Sequence, residues 1–289
     1  MASRKVEGNR TSFARLSWRV IKMHYTIGSK QYWLEEVGSG PPLLLLHGFT
    51  GSSESWQDFA EKWKDGFRVL LLDLPGHGKT KTQGPIRMED FCEDLEQLLN
   101  QLSISKVNLL GYSLGGRAAL SFAVLKPERV QSLILESASP GLGSPDEQLA
   151  RKTKDEALAE RILGEGVPRF VDYWENLPLF ESQNKLPDSI KNRIRQERLS
   201  HTQRGLADSL IGMGTGAQPS WWGELGDIRL PVLLLAGEID QKFVDIAEEM
   251  HQSILSSELK IIPLSGHAIH VEQPQKFDTI VHEFLLNNV

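Results

Sequence analysis

Residues 107–120, VNLLGYSLGGRAAL, decide the fold. An apolar run gives way to a turn, and a helix-like segment follows at once. Ser113 stands in that turn, with Gly111 and Gly115 two positions to either side, the spacing of G-x-S-x-G. In that pattern the serine sits on a strained strand-to-helix turn and points its oxygen out of the sheet. Glycine on both sides lets neighbouring backbone crowd the turn at low steric cost. The plainer reading is a tight turn with an incidental hydroxyl, and partners elsewhere in the chain must choose between the two.

The same strand rhythm recurs on both sides of the turn. PPLLLLHGF (41–49), FRVLLLDLPG (67–76) and VQSLILESAS (130–139) are short apolar runs, as buried parallel strands require. HYTIG (24–28) and QYWLEEVG (31–38) read as an opening hairpin. Helical spacing lies between the runs, from Met88 to Leu102 and from Leu114 to Leu125. The second helix should stop near Lys126, because Pro127 disfavours helical geometry before it. Strands alternating with helices predict a mostly parallel sheet flanked by helices.

The rhythm breaks from about Pro140 to Leu225, where helical patterns occur without a buried strand. DEQLARKTKDEALAERIL (146–163) is helical by composition and period, with Asp146 as its expected cap, and residues 189–216 supply one or two more helices. LPVLLLAGEID (230–240) and LKIIPLSGHA (259–268) restore the strands, and PQKFDTIVHEFLL (274–286) closes the chain as a helix. The expected organisation is a core at 1–139 and 226–289, interrupted by a helical cap at 140–225.

The chain has 289 residues, 40% of them hydrophobic, enough for one large α/β domain or a core with an insertion. Its formal charge of −6 opposes a nucleic-acid footprint, which is basic. A single cysteine, Cys92, excludes an internal disulfide and a cysteine-based zinc site. It lies in the amphipathic stretch MEDFCEDLEQLL (88–99), so a structural role is expected. No apolar run is long enough to span a membrane. The polar, basic opening, residues 1–20, lacks the apolar core of a secretory signal; it suits an expression leader, a linker remnant or a short tail.

A serine hydroxyl needs a histidine within reach to become reactive, and that histidine needs an orienting carboxylate. The chain order Ser, Asp, His suits this fold class, with acid and base just past strand ends. Asp240 follows VLLLAGEI and His267 follows LKIIPLSG. Taken alone, Asp240 could be a turn or cap residue and His267 a surface histidine. The ordered set of three makes coincidence the poorer account. Glu238 is a substitute acid and His270 a rival base. No carboxylate at helical spacing completes a metal ligand set around the two histidines, so no metal is expected. An oxyanion hole needs two backbone N–H groups. Leu114, after the serine and at a helix N-terminus, supplies one, and Phe49 in LLHGFTGS supplies the other. His47, Asp73 and His77 read as loop-stabilising.

HGFTGSSESW (47–56), DLPGHGKT (73–80), GYSLGGR (111–117) and SGHAIHVEQP (265–274) resemble the α/β-hydrolase superfamily across nearly the whole chain. Tyr112, Arg117, SASPGL (137–142), ARKTKDEALA (150–159), YWENLPLF (173–180), RLSHTQRGLA (198–207) and GTGAQPSWW (214–222) resemble one branch of it. That branch is the 2-succinyl-6-hydroxy-2,4-cyclohexadiene-1-carboxylate synthase family of menaquinone and phylloquinone synthesis. The resemblance implies a lyase without a cofactor. Pyruvate leaves an enolpyruvyl cyclohexene, and Ser113, activated by His267 and Asp240, takes a ring proton without forming an acyl-enzyme. It also implies a small anionic substrate held by Arg117, Arg151 and Arg198, beside Tyr112, Trp174 and Phe180, although core packing accounts equally well for the two last. Arg193, Arg195 and Arg204 are close enough to Arg198 to exchange roles with it. Neighbouring pathway enzymes or fused domains are the implied partners, since the plant activity sits within a multidomain protein and the polar start would suit an excised domain. The implied compartment is the chloroplast for a plant chain and the cytoplasm for a bacterial one.

A polyanion is repelled by a chain of charge −6 unless basic groups converge locally. Lys185, Lys191, Arg193, Arg195, Arg198 and Arg204, set against Asp188 and Glu197, give such a local excess. Two other readings keep the fold: a carboxylesterase or carbon–carbon hydrolase using the same triad, and a small-molecule receptor. A neutral ester has no use for several arginines, and an intact triad weighs against a receptor with a dead site.

Overall fold

The computed structural model describes residues 20–288, so most of the polar opening lies outside the described residues. Eight strands form one sheet in the order β1-β2-β4-β3-β5-β6-β7-β8. They are β1 (Ile21–Ile27), β2 (Lys30–Val37), β3 (Pro42–Leu46), β4 (Arg68–Leu72), β5 (Val107–Tyr112), β6 (Val130–Glu136), β7 (Val232–Gly237) and β8 (Ser257–Ile262). The opening hairpin pairs β1 with β2 antiparallel, and β2 runs antiparallel to β4. Every later pairing is parallel.

Alternation within the central strands builds two cores. Leu44 and Leu46 face one side with Leu70, Leu109 and Leu133, whereas Leu43 and Leu45 face the other with Val69, Leu110 and Leu233. On the first side lie α2 (Met88–Gln101) and α3 (Leu114–Leu125). Cys92 is buried there as a small apolar residue. The second side receives α1 (Gln57–Trp63) and, later in the chain, α10 (Pro274–Asn287).

The chain leaves the sheet after β6 and returns at β7, its neighbour. In between lie α4 (Pro145–Glu165), α5 (Val167–Trp174), α6 (Asp188–Leu199) and α7 (Gln203–Met213), with a 3-10 helix at Pro178–Lys185. Ala159, Ile162, Phe170, Val171, Leu206 and Leu210 give this excursion a small core of its own. The two crossings are stitched together: the Trp221 N–H donates to the Pro140 carbonyl (2.7 Å), and the Trp222 indole donates to the Gly141 carbonyl (3.0 Å).

The cap of α4 is Ser144, not Asp146. The Ser144 hydroxyl accepts the Glu147 N–H at 3.2 Å, and the Glu147 carboxylate accepts the Ser144 N–H at 3.3 Å. Pro145 explains the displacement. It fixes the first helical position and has no N–H to satisfy, so the helix starts one residue before the expected cap and Asp146 falls within the first turn. Between the excursion and α10 lie α8 (Gln241–Ser253) and the one-turn α9 (Ile269–Glu272).

Candidate active site

Ser113 lies between β5 and α3 with φ 51° and ψ −107°, in the left-handed half of the backbone map. Such strain in a non-glycine residue persists only where the surroundings enforce it, and both flanking glycines show how. A Cβ on Gly115 would lie 2.2 Å from the Leu46 carbonyl oxygen, and one on Gly111 would lie 2.2 Å from the Gly115 oxygen. The elbow is therefore wedged against β3 and folded on itself, which only glycine permits.

His267 follows β8 and meets this elbow. The Ser113 Oγ–H donates to His267 Nε2 at 3.0 Å, and His267 Nδ1–H donates to Asp240 Oδ2 at 2.6 Å. Asp240 occupies the N-cap position of α8 but makes no capping bond with its side chain, which turns instead to the imidazole. His267 is buried, with the Phe243 ring centroid 4.6 Å away. The rivals are engaged elsewhere. Glu238 accepts the Leu264 N–H, and His270 donates to Glu136. The two histidines thus face different carboxylates.

The loop after β3 packs directly against the elbow. A Cβ on Gly48 would meet the Tyr112 ring at 2.6 Å and Ser113 Cβ at 3.6 Å. Phe49 follows Gly48, and Leu114 opens α3; neither amide bonds to a loop or cap acceptor among the described residues. Three buried imidazoles hold this loop. Each accepts a backbone N–H on one nitrogen: His47 from Leu74 (3.0 Å), His77 from Thr50 (3.2 Å) and His201 from Gly78 (3.3 Å). Each donates to a carbonyl through the other, to Gly48, Pro75 and Thr50 respectively. Burial pushes His47 and His201 down to about 4, and His77 well below its ordinary value. All three are neutral at neutral pH, as an accepting nitrogen requires. Asp73 accepts the Ser53 and Lys79 amides, fixing the turn beside them.

His201 belongs to the helical excursion, and so does Glu197. Its Oε1 accepts the Ser52 N–H (2.8 Å), the Ser52 hydroxyl (2.7 Å) and the Ser55 hydroxyl (2.8 Å). These two residues pin the excursion onto the loop that carries Phe49. Sequence reasoning overlooked both, because nothing local marks a tertiary contact between residues 145 positions apart.

A cavity of about 360 Å³ opens over the triad. Ser113, His267, Phe49, Leu114 and Tyr112 line it from the core, with Trp174 and Phe180 from the excursion. Arg117 and Arg151 also reach it. Arg117 is anchored by the Met213 carbonyl (2.8 Å) and Gln218 Oε1 (2.9 Å); burial and the nearby Arg151 lower it to about 10, so it stays cationic at neutral pH. Arg151 is braced by Asp155 at 2.7 Å. Among the described residues, Ser137 Oγ, Ser209 Oγ and Trp174 Nε1 are buried polar atoms on these walls without a protein partner. Neither serine was singled out from the sequence.

Arg198 is not part of that lining. It stacks over the Phe180 ring at 4.8 Å and faces a smaller adjoining cavity of about 80 Å³, whose walls share Phe49, Tyr112 and Phe180 with the first. Arg198 thus lines a different cavity from Arg117 and Arg151, although Phe49, Tyr112 and Phe180 line both. The local basic excess does not converge either. Arg193 pairs with Asp58, Arg195 with Asp172 and Glu175, and Arg204 with Asp208, all partly or largely exposed; among these four arginines only Arg198 is buried.

The α/β-hydrolase fold model matches residues 41–274. A Bacillus subtilis protein that carries the name 2-succinyl-6-hydroxy-2,4-cyclohexadiene-1-carboxylate synthase provisionally is 47% identical over 248 residues, covering 84% of this chain and 89% of the relative. This chain belongs to the 2-succinyl-6-hydroxy-2,4-cyclohexadiene-1-carboxylate synthase family of α/β hydrolases. The solved structure of MenH from S. aureus superposes with a TM-score of 0.85 at 39% identity, over 89% of this chain and 98% of that one. Protein PHYLLO, chloroplastic, of Arabidopsis thaliana is 32% identical over 86% of this chain, which spans 16% of that much longer protein. Among the described residues no helix is long and apolar enough to cross a membrane.

Proposed function

We propose that this chain eliminates pyruvate from 2-succinyl-5-enolpyruvyl-6-hydroxy-3-cyclohexene-1-carboxylate, giving 2-succinyl-6-hydroxy-2,4-cyclohexadiene-1-carboxylate, with Ser113 as the base. One observation carries the reading: a serine–histidine–aspartate chain of 3.0 and 2.6 Å opens into the same cavity as two arginines. In the resting state Ser113 holds its proton toward His267. As Oγ takes the ring proton, its own proton passes to Nε2. Asp240 steadies the imidazolium that forms.

The electron pair left on the ring carbon delocalises onto the adjacent carbonyl oxygen, toward the Phe49 and Leu114 amides, where preorganised donors lower the barrier. The pair then returns to form the C2=C3 double bond, the existing C3=C4 pair shifts to C4=C5, and the C5–O bond to the enolpyruvyl group breaks with its electrons leaving on oxygen. The leaving enolate accepts a proton, regenerating neutral His267, and tautomerises to pyruvate. Arg117 and Arg151 offset the substrate's carboxylates; Arg117 keeps guanidinium donors for the ligand beyond the Nη1 bonds that anchor it. Trp174 and Phe180 wall the ring, and the unpartnered Ser137, Ser209 and Trp174 atoms offer it polar contacts.

A carboxylesterase would use the same triad but would form an acyl-serine and leave both arginines without a role. Intact mass measured during steady turnover separates the two. The unmodified chain is expected throughout; accumulation of a Ser113 adduct with the substrate would overturn the general-base reading.

A further inference from the structure

A second histidine–carboxylate pair lies under the first. Glu136, the last residue of β6, is fully buried, and His270 lies three positions after His267. The His270 Nδ1–H reaches both Glu136 carboxylate oxygens at 2.9 Å, and the His270 backbone N–H donates to Oε1 at 3.0 Å. The Glu136 backbone carbonyl accepts the Ser113 N–H at 2.9 Å. One residue therefore grips both reacting segments, the elbow through its main chain and the histidine loop through its side chain.

The surroundings fix this grip. The His270 ring lies 4.5 Å from the Trp56 ring and 4.7 Å from the Tyr112 ring, and Tyr112 also sits 5.4 Å from His267. Burial raises the Tyr112 phenol far above its usual range, so it stays neutral beside Glu136. A buried carboxylate whose side chain has no other hydrogen bond among the described residues is costly to retain for stability alone. Its geometry offers another return. Ser113 Oγ and His267 Nε2 must hold their 3.0 Å contact although they arrive from strands separated by two others, and Glu136 ties the two segments together by hydrogen bonds to both.

We propose that Glu136, acting through His270, is a positioning residue that sets the Ser113–His267 contact. It touches neither substrate nor reacting atom. This rests on the triad reading given above, and the test separates the two. The rate at which phenylmethylsulfonyl fluoride labels Ser113 reports the serine–histidine alignment without any substrate. Wild type should be labelled, and failure of that control would sink the triad reading itself.

Given labelling of the wild type, Glu136→Ala should lower both the labelling rate and kcat by about 10–100-fold, the cost of a displacement near 1 Å, while KM stays near the wild-type value. Glu136→Gln keeps an oxygen for the His270 N–H and should recover most of both rates. A merely structural role would lower the melting temperature without this paired loss and rescue. If Glu136→Ala does not fold, His270→Ala is read by the same two rates, since it removes the ring but keeps the backbone bond. Wild-type labelling and kcat in the variant that folds, or a fall in kcat with labelling unchanged, would overturn the proposal.

Discussion

Asp240 and His267 are 2.6 Å apart, so the carboxylate at the start of α8 fixes which nitrogen of the imidazole carries the proton. With Nδ1–H given to Asp240, Nε2 is left to accept from Ser113. Asp240→Asn offers an amide that can donate to Nδ1 and so stabilise the wrong tautomer. Loss of about 10⁴ in kcat is the measured cost of that exchange in a serine protease triad, and a fall of at least about 10² is expected here. Pyruvate release at saturating substrate measures it; an unchanged kcat would remove Asp240 from the triad.

Arg117 projects from the first turn of α3 into the cavity and spends Nη1 on Met213 and Gln218. Arg117→Ala should lower kcat/KM for the anionic substrate by roughly 10², as expected when a charge-assisted hydrogen bond worth about 3 kcal/mol is lost. Arg117→Lys should recover only part of this, because an ammonium cannot reproduce the planar fork. Equal kcat/KM for wild type and alanine variant would show that Arg117 does not contact the substrate.

The elbow has no room for a methyl group at Gly115. Gly115→Ala must displace the Leu46 carbonyl or the start of α3, at a cost of about 1–3 kcal/mol typical of overpacking. Urea unfolding followed by circular dichroism measures the shift. Stability equal to wild type would mean that β3 and the elbow are not wedged together.

Acid should destabilise the protein through its buried imidazoles. His47 and His201 are lowered to about 4, and His77 well below its ordinary value, while in the unfolded chain each titrates near its ordinary 6.5. Below about 6.5 the unfolded chain therefore binds more protons than the folded one, so the stability present above that pH falls as pH drops toward 4. Each proton contributes a slope of about 1.4 kcal/mol per pH unit. Protonation also turns an accepting nitrogen into a donor facing an N–H, which loosens the Phe49 loop. His201→Gln should flatten the slope by about one proton. A flat profile of melting temperature between neutral pH and about 5 would contradict this account.

Ser113, Asp240 and His267 were legible from the sequence because each lies in the loop that follows a strand, one, three and five residues past β5, β7 and β8, and local pattern reports strand ends. The mostly parallel sheet was legible for the same reason. The cap of α4 was misread by two positions, since Asp146 and Ser144 both suit a cap and only Pro145 decides between them. Residues that act across the fold were invisible. Glu197 and His201 reach the Phe49 loop from the excursion, and Glu136 reaches His270 from another strand. That Arg198 and Arg151 line different cavities depends on how helices pack, which spacing does not encode.

Pyruvate release by wild type and by Ser113→Ala, from the same enolpyruvyl cyclohexene acid at saturating concentration, tests the whole account most directly. Multiple turnovers by wild type, with kcat lower by at least about 10³ in the variant, are the expected result. Comparable pyruvate release by the two proteins would contradict it, because the proton would then be leaving to some base other than residue 113.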